Sequence, residues 1–524
     1  MRNDLASHLS SIALGFTEGN NIKRIIMCKN IYRWVGLFCL IGLLNSCLNF
    51  EDLRENPNEP NSVPPSLIFT SLTPGVVTSF RDDYEIMQYH LWIATDDVFP
   101  PNFSSGFRGS FNYDDLRNIE QMNLEAEKAG APEYIILGKF LKARIYIEMT
   151  RRMGDVPMSE ALQGIKNPQP KYDSQKSIYL QCLNWLDEAN LELGDFIASN
   201  PGTTLEGDLY FNGNLKQWQK LINAYTIRIL ISLSKKADLP ELNVQGRFAA
   251  IVNNSTLYPL LESLADNAQL FYSNEDGFRQ TYNPNSAVYK DAVVYASTYI
   301  DLLKKNEDPR LMQVADPTKD ALGANPGNIA AVRADFNAYA GADISAPAPE
   351  NSAKKLDGDF SFPHDERYWN FVGQPGILMS YWEQELHIAE AAHRDWISAD
   401  AKAHYDKGIT ASMEFYGVEA DAITDYLANK QPYTVGDAGL KRILEQKYIA
   451  FAENTGQESF FTTRRTGVPT YLFSSENSIS KYPVRWTYPT SEDLDNGINY
   501  RSALIRQFDA EVDDRDQLIW ILRD

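Results

Sequence analysis

Between Tyr134 and Met153, Tyr134, Leu137, Leu141, Ile145 and Met149 recur at three- and four-residue steps, which predicts a helix with one buried face. Gly154 and Pro157 end it. The same spacing predicts a helix lined by Ile178, Cys182, Trp185, Ala189 and Leu193, and another lined by Trp218, Leu221, Ile222, Tyr225, Ile229, Leu230 and Leu233. Toward the C-terminus, Leu378–Asp395 and Ala399–Tyr416 read as two helices joined by a tight turn. Ala401, Tyr405 and Gly408 in the second have the spacing by which tetratricopeptide helices interlock. The other helices keep no fixed repeat length, so the pattern predicts irregular helix pairs and no regular array. Long stretches between these blocks have no period. Thr95–Asn112 carries four phenylalanines, which is unusual for a solvated loop, and Asp316–Tyr368 has "APAPENSAKKLDGD" at its polar extreme. Loops this long in a compact domain are functional or disordered.

The start of the chain adds a targeting signal. Trp34–Leu44 has no charge and follows Lys23, Arg24, Lys29 and Arg33, the basic-then-apolar order of a secretory signal. The run is shorter than the ~20 residues a bilayer span needs. Leu44-Asn45-Ser46-Cys47 resembles a bacterial lipoprotein signal, in which the cysteine is lipidated and becomes the new N-terminus. A plain cleaved signal and a buried helix are the alternatives. The expected organisation is a signal over 1–46, with Met27 as an alternative start, then a lipidated tether over 47–65 and a single folded domain over 66–524. Of the four cysteines, Cys28 and Cys39 would leave with the signal and Cys47 would carry lipid, so Cys182 remains a free thiol with no disulfide partner.

Charge narrows the partners. The formal charge is −21, and removing 1–46 takes away five basic and two acidic residues, leaving the rest still more acidic. Phosphate backbones repel such a chain and no basic run reverses this locally, which argues against nucleic acid. Charge would not hold it on an anionic membrane either, whereas acyl chains contribute ~0.8 kcal/mol per buried CH2.

Several strings then matter together: "FLKARIYIEMTRRMGDVPMSEAL", "DPRLMQVADP", "PGILMSYWEQELHIAEAAHRDW" with "AHYDKGITASMEFYG", "ILEQKYIAFAENTGQESFFTTRRTGVPTY" and "YPVRWTYPTSEDLDNGIN". In this order they resemble the motifs of the SusD/RagB family of outer-membrane nutrient-binding lipoproteins of Bacteroidetes, and "NPNEPNSVPPSLIFT" after the cysteine fits the same family. The resemblance spans essentially the whole mature chain. It implies a predominantly α fold, a SusD-like α-α superhelix of irregular tetratricopeptide-like helix pairs with a loop-rich variable face. It also implies a cell-surface lipoprotein of the outer membrane that sits as a lid on a SusC-like TonB-dependent transporter and delivers oligosaccharides or, in some members, peptides. The family has no catalytic motif to transfer, and only Cys47 carries over by position.

Independent chemistry is sparse. Glu383, His387 and Glu390 share one helix face, where two carboxylates and an imidazole could hold a divalent metal, and Glu390 with His393 gives a Glu-x-x-His pattern. A bundle site needs a second such helix and none is found, so packing and hydrogen bonding are the expected role. Arg464 and Arg465 could fork onto a carboxylate or phosphate, with pairing to acids of the same chain as the expected role. There is no G-x-S-x-G elbow, Walker A motif, dinucleotide fingerprint or zinc spacing, and the six histidines are scattered. Carboxylates are too abundant for a glycosidase pair to stand out. No cofactor is expected, and a structural calcium among the Asp-rich loops has no motif behind it.

Binding chemistry is better represented. Sugar rings stack their apolar faces on aromatics, while their hydroxyls bond to Asp, Asn, Gln and Arg; both kinds of residue sit together in "WIATDDVFPPNFSSGFRGSFNYDD" and "PHDERYWNFVGQ". The first supplies Trp92, Phe103, Phe107 and Arg108 as candidate ligand residues, with Asp96 or Asp97 as polar partners. The second and the intervening loops add Tyr282, Tyr339, Tyr368 and Trp369, core packing being the alternative for each. The resulting expectation is a non-enzymatic, lipid-anchored receptor for an oligosaccharide or polysaccharide. A peptide receptor of the same build and a secreted glycan hydrolase are the alternatives.

Overall fold

The helices form where capping residues meet apolar periodicity. α1 (Tyr113–Ala129) starts at Asn112, whose side chain accepts a hydrogen bond from the Asp115 N–H, and ends at left-handed Gly130. α2 (Pro132–Met153) has proline in its first turn, where the missing N–H has no partner to lose, and it stops at Gly154. Ser174 caps α3 (Gln175–Ser199), and Asn214 caps α4 (Leu215–Ser232). Consecutive members of this series pack on one another, and nearly every residue of α4 is buried.

A computed structural model describes residues 62–73, 82–93, 107–280, 287–475 and 479–524 of this chain. The chain divides into two units, Met1–Val63 and Pro64–Asp524, and the described residues lie almost entirely in the second. Among them are 21 α-helices, about 56% of the structure being helical. The strands are short: β1 (His90–Trp92) pairs antiparallel with β3 (Val293–Tyr295), and β2 (Ala268–Leu270) with β4 (Gly376–Met379). The fold is thus mainly α, as its periodicity predicts.

Two segments differ from expectation. Leu378 and Met379 lie in β4, so the helix predicted from Leu378 begins only after Ser380, which accepts a hydrogen bond from the Glu383 N–H at the start of α5 (Tyr381–His393). The polar stretch in Asp316–Tyr368 is not irregular throughout: Ala348–Asp357 is a helix. Its proline falls in the first turn, Lys354 pairs with Glu350 one turn earlier, and left-handed Gly358 ends it.

Asp400 caps α6 (Ala401–Tyr416), which lies directly on α5. A Cβ on Gly408 would stand 2.7 Å from Leu386 Cγ and 3.2 Å from the Trp382 carbonyl oxygen, so glycine is what permits this approach. The predicted interlocking position is therefore a close contact. α7 (Gly436–Ala450) and α8 (Glu458–Thr466) complete the surroundings of α5.

α5 is buried from Trp382 through Ala392, although Glu383, Gln384, Glu385, His387 and Glu390 are polar. Each charge on it has a partner on another element or on an adjacent turn. Arg228 of α4 forks onto Glu383 at 2.5 and 2.6 Å and also donates to the Leu378 carbonyl at 2.7 Å. Arg465 of α8 forks onto Glu390 at 2.7 and 3.0 Å, and Lys447 of α7 donates to the same carboxylate. Arg394 adds a further bond to Glu390 at 2.9 Å. Lys447 also lies 2.9 Å from His387 Nδ1, and His387 Nε2 lies 3.0 Å from Glu383. An ammonium only donates, so Nδ1 accepts and the Nε2–H donates to Glu383, which makes the imidazole neutral. Burial, seconded by Lys447, lowers His387 to about 4. Burial lowers Lys447 to about 8 against the pull of Glu390, whereas at Glu383 burial, which would raise the carboxyl, is outweighed by Arg228 and His387 together, which bring it down to about 2. On α2, Arg151 forks onto Glu458 at 2.5 and 2.9 Å.

A second buried cluster ties a loop to α6 and α7. Fully buried Arg310 forks onto Asp308 at 2.9 and 2.6 Å and reaches Ser412 at 2.9 Å and Gln446 at 2.6 Å. The single thiol described, Cys182, is buried on α3, and burial raises its pKa, which leaves it unreactive. No helix among the described residues is long and apolar enough to cross a membrane.

Two predictions follow from this packing. Gly408→Leu should destabilise the fold by about 1–3 kcal/mol in chemical denaturation, because the new side chain collides with α5; an unchanged midpoint would show that the two helices have slack. His387 has a folded-state pKa of about 4 against an ordinary 6.5. The unfolded chain thus takes up a proton over that window before the folded one does, and stability falls as the pH drops from 6.5 to 4. The loss is on the order of 3 kcal/mol, and His387→Gln should flatten this part of the stability–pH curve while leaving a fall below pH 4.5 to which Glu383 contributes.

Candidate functional site

The sequence-selected residues scatter between the core and the surface. Trp92 ends β1 opposite Val293 and is buried in a small cluster with Ala292 and Val293. Phe107 is buried against Trp486 and Phe460, at ring-centroid distances of 5.0 and 5.6 Å. Arg108 is exposed, and its backbone bridges to Thr487. Tyr339 is fully buried and donates to the Arg333 carbonyl at 2.8 Å, and burial raises its hydroxyl pKa. Tyr368 and Trp369 are buried as well, with the Tyr368 carbonyl accepting from Gln280 at 2.5 Å. Asp96, Asp97, Phe103 and Tyr282 lie outside the described residues, as does Cys47. Of the candidate aromatics, Trp92, Phe107, Tyr339, Tyr368 and Trp369 are thus packed inside, and in this conformation their rings offer no open face for stacking. Long segments between helices fill the gaps that helix packing leaves, and large flat rings fill them best.

The possible metal face is accounted for by ion pairs. Glu383 and Glu390 are committed to arginine and lysine, and His393 turns instead to Tyr433, 2.8 Å away, and to the Gly436 carbonyl at 2.9 Å. Among the described residues no group of three or more His, Cys, Asp or Glu could hold a metal ion. The paired arginines bond within the chain. Arg465 takes Glu390, while Arg464 donates to the Val484 and Arg151 carbonyls, both at 2.6 Å; burial and then Arg151 lower its pKa to about 9.

A concave site exists nearby in a region the sequence reading treats only as loop. Two short helices, Lys319–Ala324 and Ile329–Ala334, and the 3-10 turn Phe336–Ala338 enclose an open depression of about 300 Å³. Asn325, Asn328, Asp335 and Asn337 supply its polar lining, and Ala321, Ala331, Val332 and Ala338 its apolar lining. The frame is braced from below. The Thr318 N–H donates to the Ala338 carbonyl at 2.8 Å, Arg333 pairs with Asp316 at 2.9 Å, and Lys304 donates to the Tyr339 carbonyl at 2.8 Å. Tyr339 is therefore the support of this surface, and the residues facing outward are the amides. Nothing in the hydrophobic periodicity marks them; the only local signal is the "GANPGN" turn composition at 323–328.

Comparison with known proteins places this architecture. A family model described as starch-binding and associating with the outer membrane matches residues 57–489. Among curated proteins none is similar to this chain at a significant level. A solved Bacteroides vulgatus outer-membrane protein, described in connection with nutrient binding, superposes with a TM-score of 0.78 at 31% identity, covering 88% of this chain and 100% of its own. A SusD homologue from Bacteroides fragilis gives 0.78 at 30% identity with the same coverage. A chitin-binding SusD homologue from Flavobacterium johnsoniae shares the fold at a TM-score of 0.65 and 19% identity, covering 88% of this chain and 95% of its own. With the family model spanning most of its length, and an outer-membrane nutrient-binding structure and a SusD homologue at 31% and 30% identity, the chain belongs to the SusD-like family of outer-membrane nutrient-binding proteins.

Proposed function

We propose that this protein is a non-enzymatic, cell-surface lipoprotein that binds a glycan or its oligosaccharides and passes them to a SusC-like TonB-dependent transporter in the outer membrane. The observation that carries the reading is the family match over 57–489 joined to structural agreement over 88% of the chain. The chitin-binding relative supports a saccharide as the ligand class. Cys47 is the anchor in this reading, with two or more acyl chains supplying the membrane affinity that a surface of this negative charge would not. The segment from Cys47 to Pro65, rich in Asn, Pro and Glu, then serves as the tether to the helical body.

Two outcomes are expected. Cys47→Ala should leave the folded protein intact but move it from the membrane fraction to the soluble fraction once the transporter is stripped away; continued membrane retention would refute the anchor. Calorimetric titration of the full chain in detergent with a panel of oligosaccharides and peptides should give saturable heat with a saccharide, which chromatography then recovers uncleaved. Cleaved saccharide would identify a hydrolase, and heat from peptides alone would identify a peptide receptor.

A further inference from the structure

We infer that the depression between Lys319 and Ala338 is a subsite for one or two uncharged, hydroxyl-rich sugar rings of the glycan, an assignment that rests on the receptor reading above. Three features of the site point to this ligand class.

The polar groups there are unspent. Asn328 is the N-cap of Ile329–Ala334, yet its side chain makes no capping bond, and Asn325 closes Lys319–Ala324 through its backbone N–H rather than its amide. The Asn337 backbone N–H binds Asp335 Oδ1 at 2.9 Å, and both residues are exposed and line the depression. Asn at such turns is ordinarily explained by capping, and that explanation is unavailable to the Asn325 and Asn328 side chains. Each free amide offers donors and an acceptor side by side, which is the pairing that adjacent sugar hydroxyls require.

The charge of the lining is selective. Asp335 is its one ionisable group, and no lysine or arginine lines the depression. Arg333, the nearest cation in sequence, is held by Asp316 at 2.9 Å. A phosphate or carboxylate would therefore meet an uncompensated anion, while a neutral polyol meets an acceptor for its hydroxyls.

Size and surface agree. A volume of about 300 Å³ lies at the small end of ligand pockets, enough for one or two rings and too small for a folded partner. Alanine methyls and Val332 give the ring's C–H face a smooth apolar contact. The turn between the two short helices is uncrowded: a Cβ at Gly323 or Gly327 would touch nothing within 4 Å. The braces through Thr318, Tyr339 and Asp316 fix the frame before binding, which lowers the ordering cost.

The test uses the full chain in detergent with maltotriose, cellotriose, chitotriose and xylotriose as probes, with a mixed tripeptide set as the contrast. Three variants are compared: Asn328→Ala, Asn337→Ala and Ala331→Trp, the last filling the depression. All three positions are exposed, so melting temperatures should match the parent. The expected result is at least tenfold weaker binding of the responding trisaccharide in each variant. Unchanged affinity in all three would overturn the subsite while the receptor reading stands. No heat from any trisaccharide with the unmodified protein would overturn the receptor reading and the subsite with it.

Discussion

Two carboxylates withdrawn from water, Glu383 and Glu390 on α5, organise the helical body. Neither charge could be buried alone, because desolvation would cost several kcal/mol per ion. Each is matched from another helix, Arg228 from α4 and Arg465 with Lys447 from α8 and α7. The neutral ring of His387 connects the two halves, accepting from Lys447 and donating to Glu383. A hydrophobic interface tolerates sliding; forked guanidinium–carboxylate pairs at fixed distances do not. The network therefore sets how the helices around α5 are placed, and the Arg310–Asp308 cluster does the same for the loop that reaches α6 and α7.

On that frame the long interhelical segments can vary without loss of the core. Some of their large aromatics point inward, as Phe107, Tyr339, Tyr368 and Trp369 do, and contribute packing, whereas Phe271 and Phe278 are exposed. Their short polar residues stay outside, as Asn325, Asn328 and Asn337 do. Substituting an exposed amide alters the surface at little cost in stability, whereas substituting a buried ring disturbs the packing. A structure at 19% identity shares the helical fold.

The long helices were legible in the sequence, since apolar spacing reports a buried face directly, whereas the short helix Ala348–Asp357 and the strand at Leu378 were not. α2, α3 and α4 stand where their periodicity puts them. Gly408 was recognisable as a small interlocking position, and the structure shows the Leu386 side chain it admits. The ordered motifs pointed to the SusD-like family, which the family model and the solved structures bear out. Helix caps and ends were local too, because Asn112, Ser174, Asn214 and Asp400 act within their own turn.

What sequence alone left undecided depended on partners far apart in the chain. The Glu383, His387 and Glu390 face is the same string whether it holds a metal or cations; only tertiary packing brings Arg228, Lys447 and Arg465 to it, from 155, 57 and 75 residues away. The loop aromatics were equally ambiguous, because a ring in an irregular segment carries no periodic mark of the side it faces. The depression was marked only by the "GANPGN" turn composition at 323–328, because the long-range braces that bring its two helices and the following turn together leave no local pattern. Sequence by itself determined the class, the helices and their caps, all governed by short-range periodicity and sterics. Tertiary structure alone decided which charges meet and which loop residues face water, because both depend on contacts between segments that the linear order keeps apart.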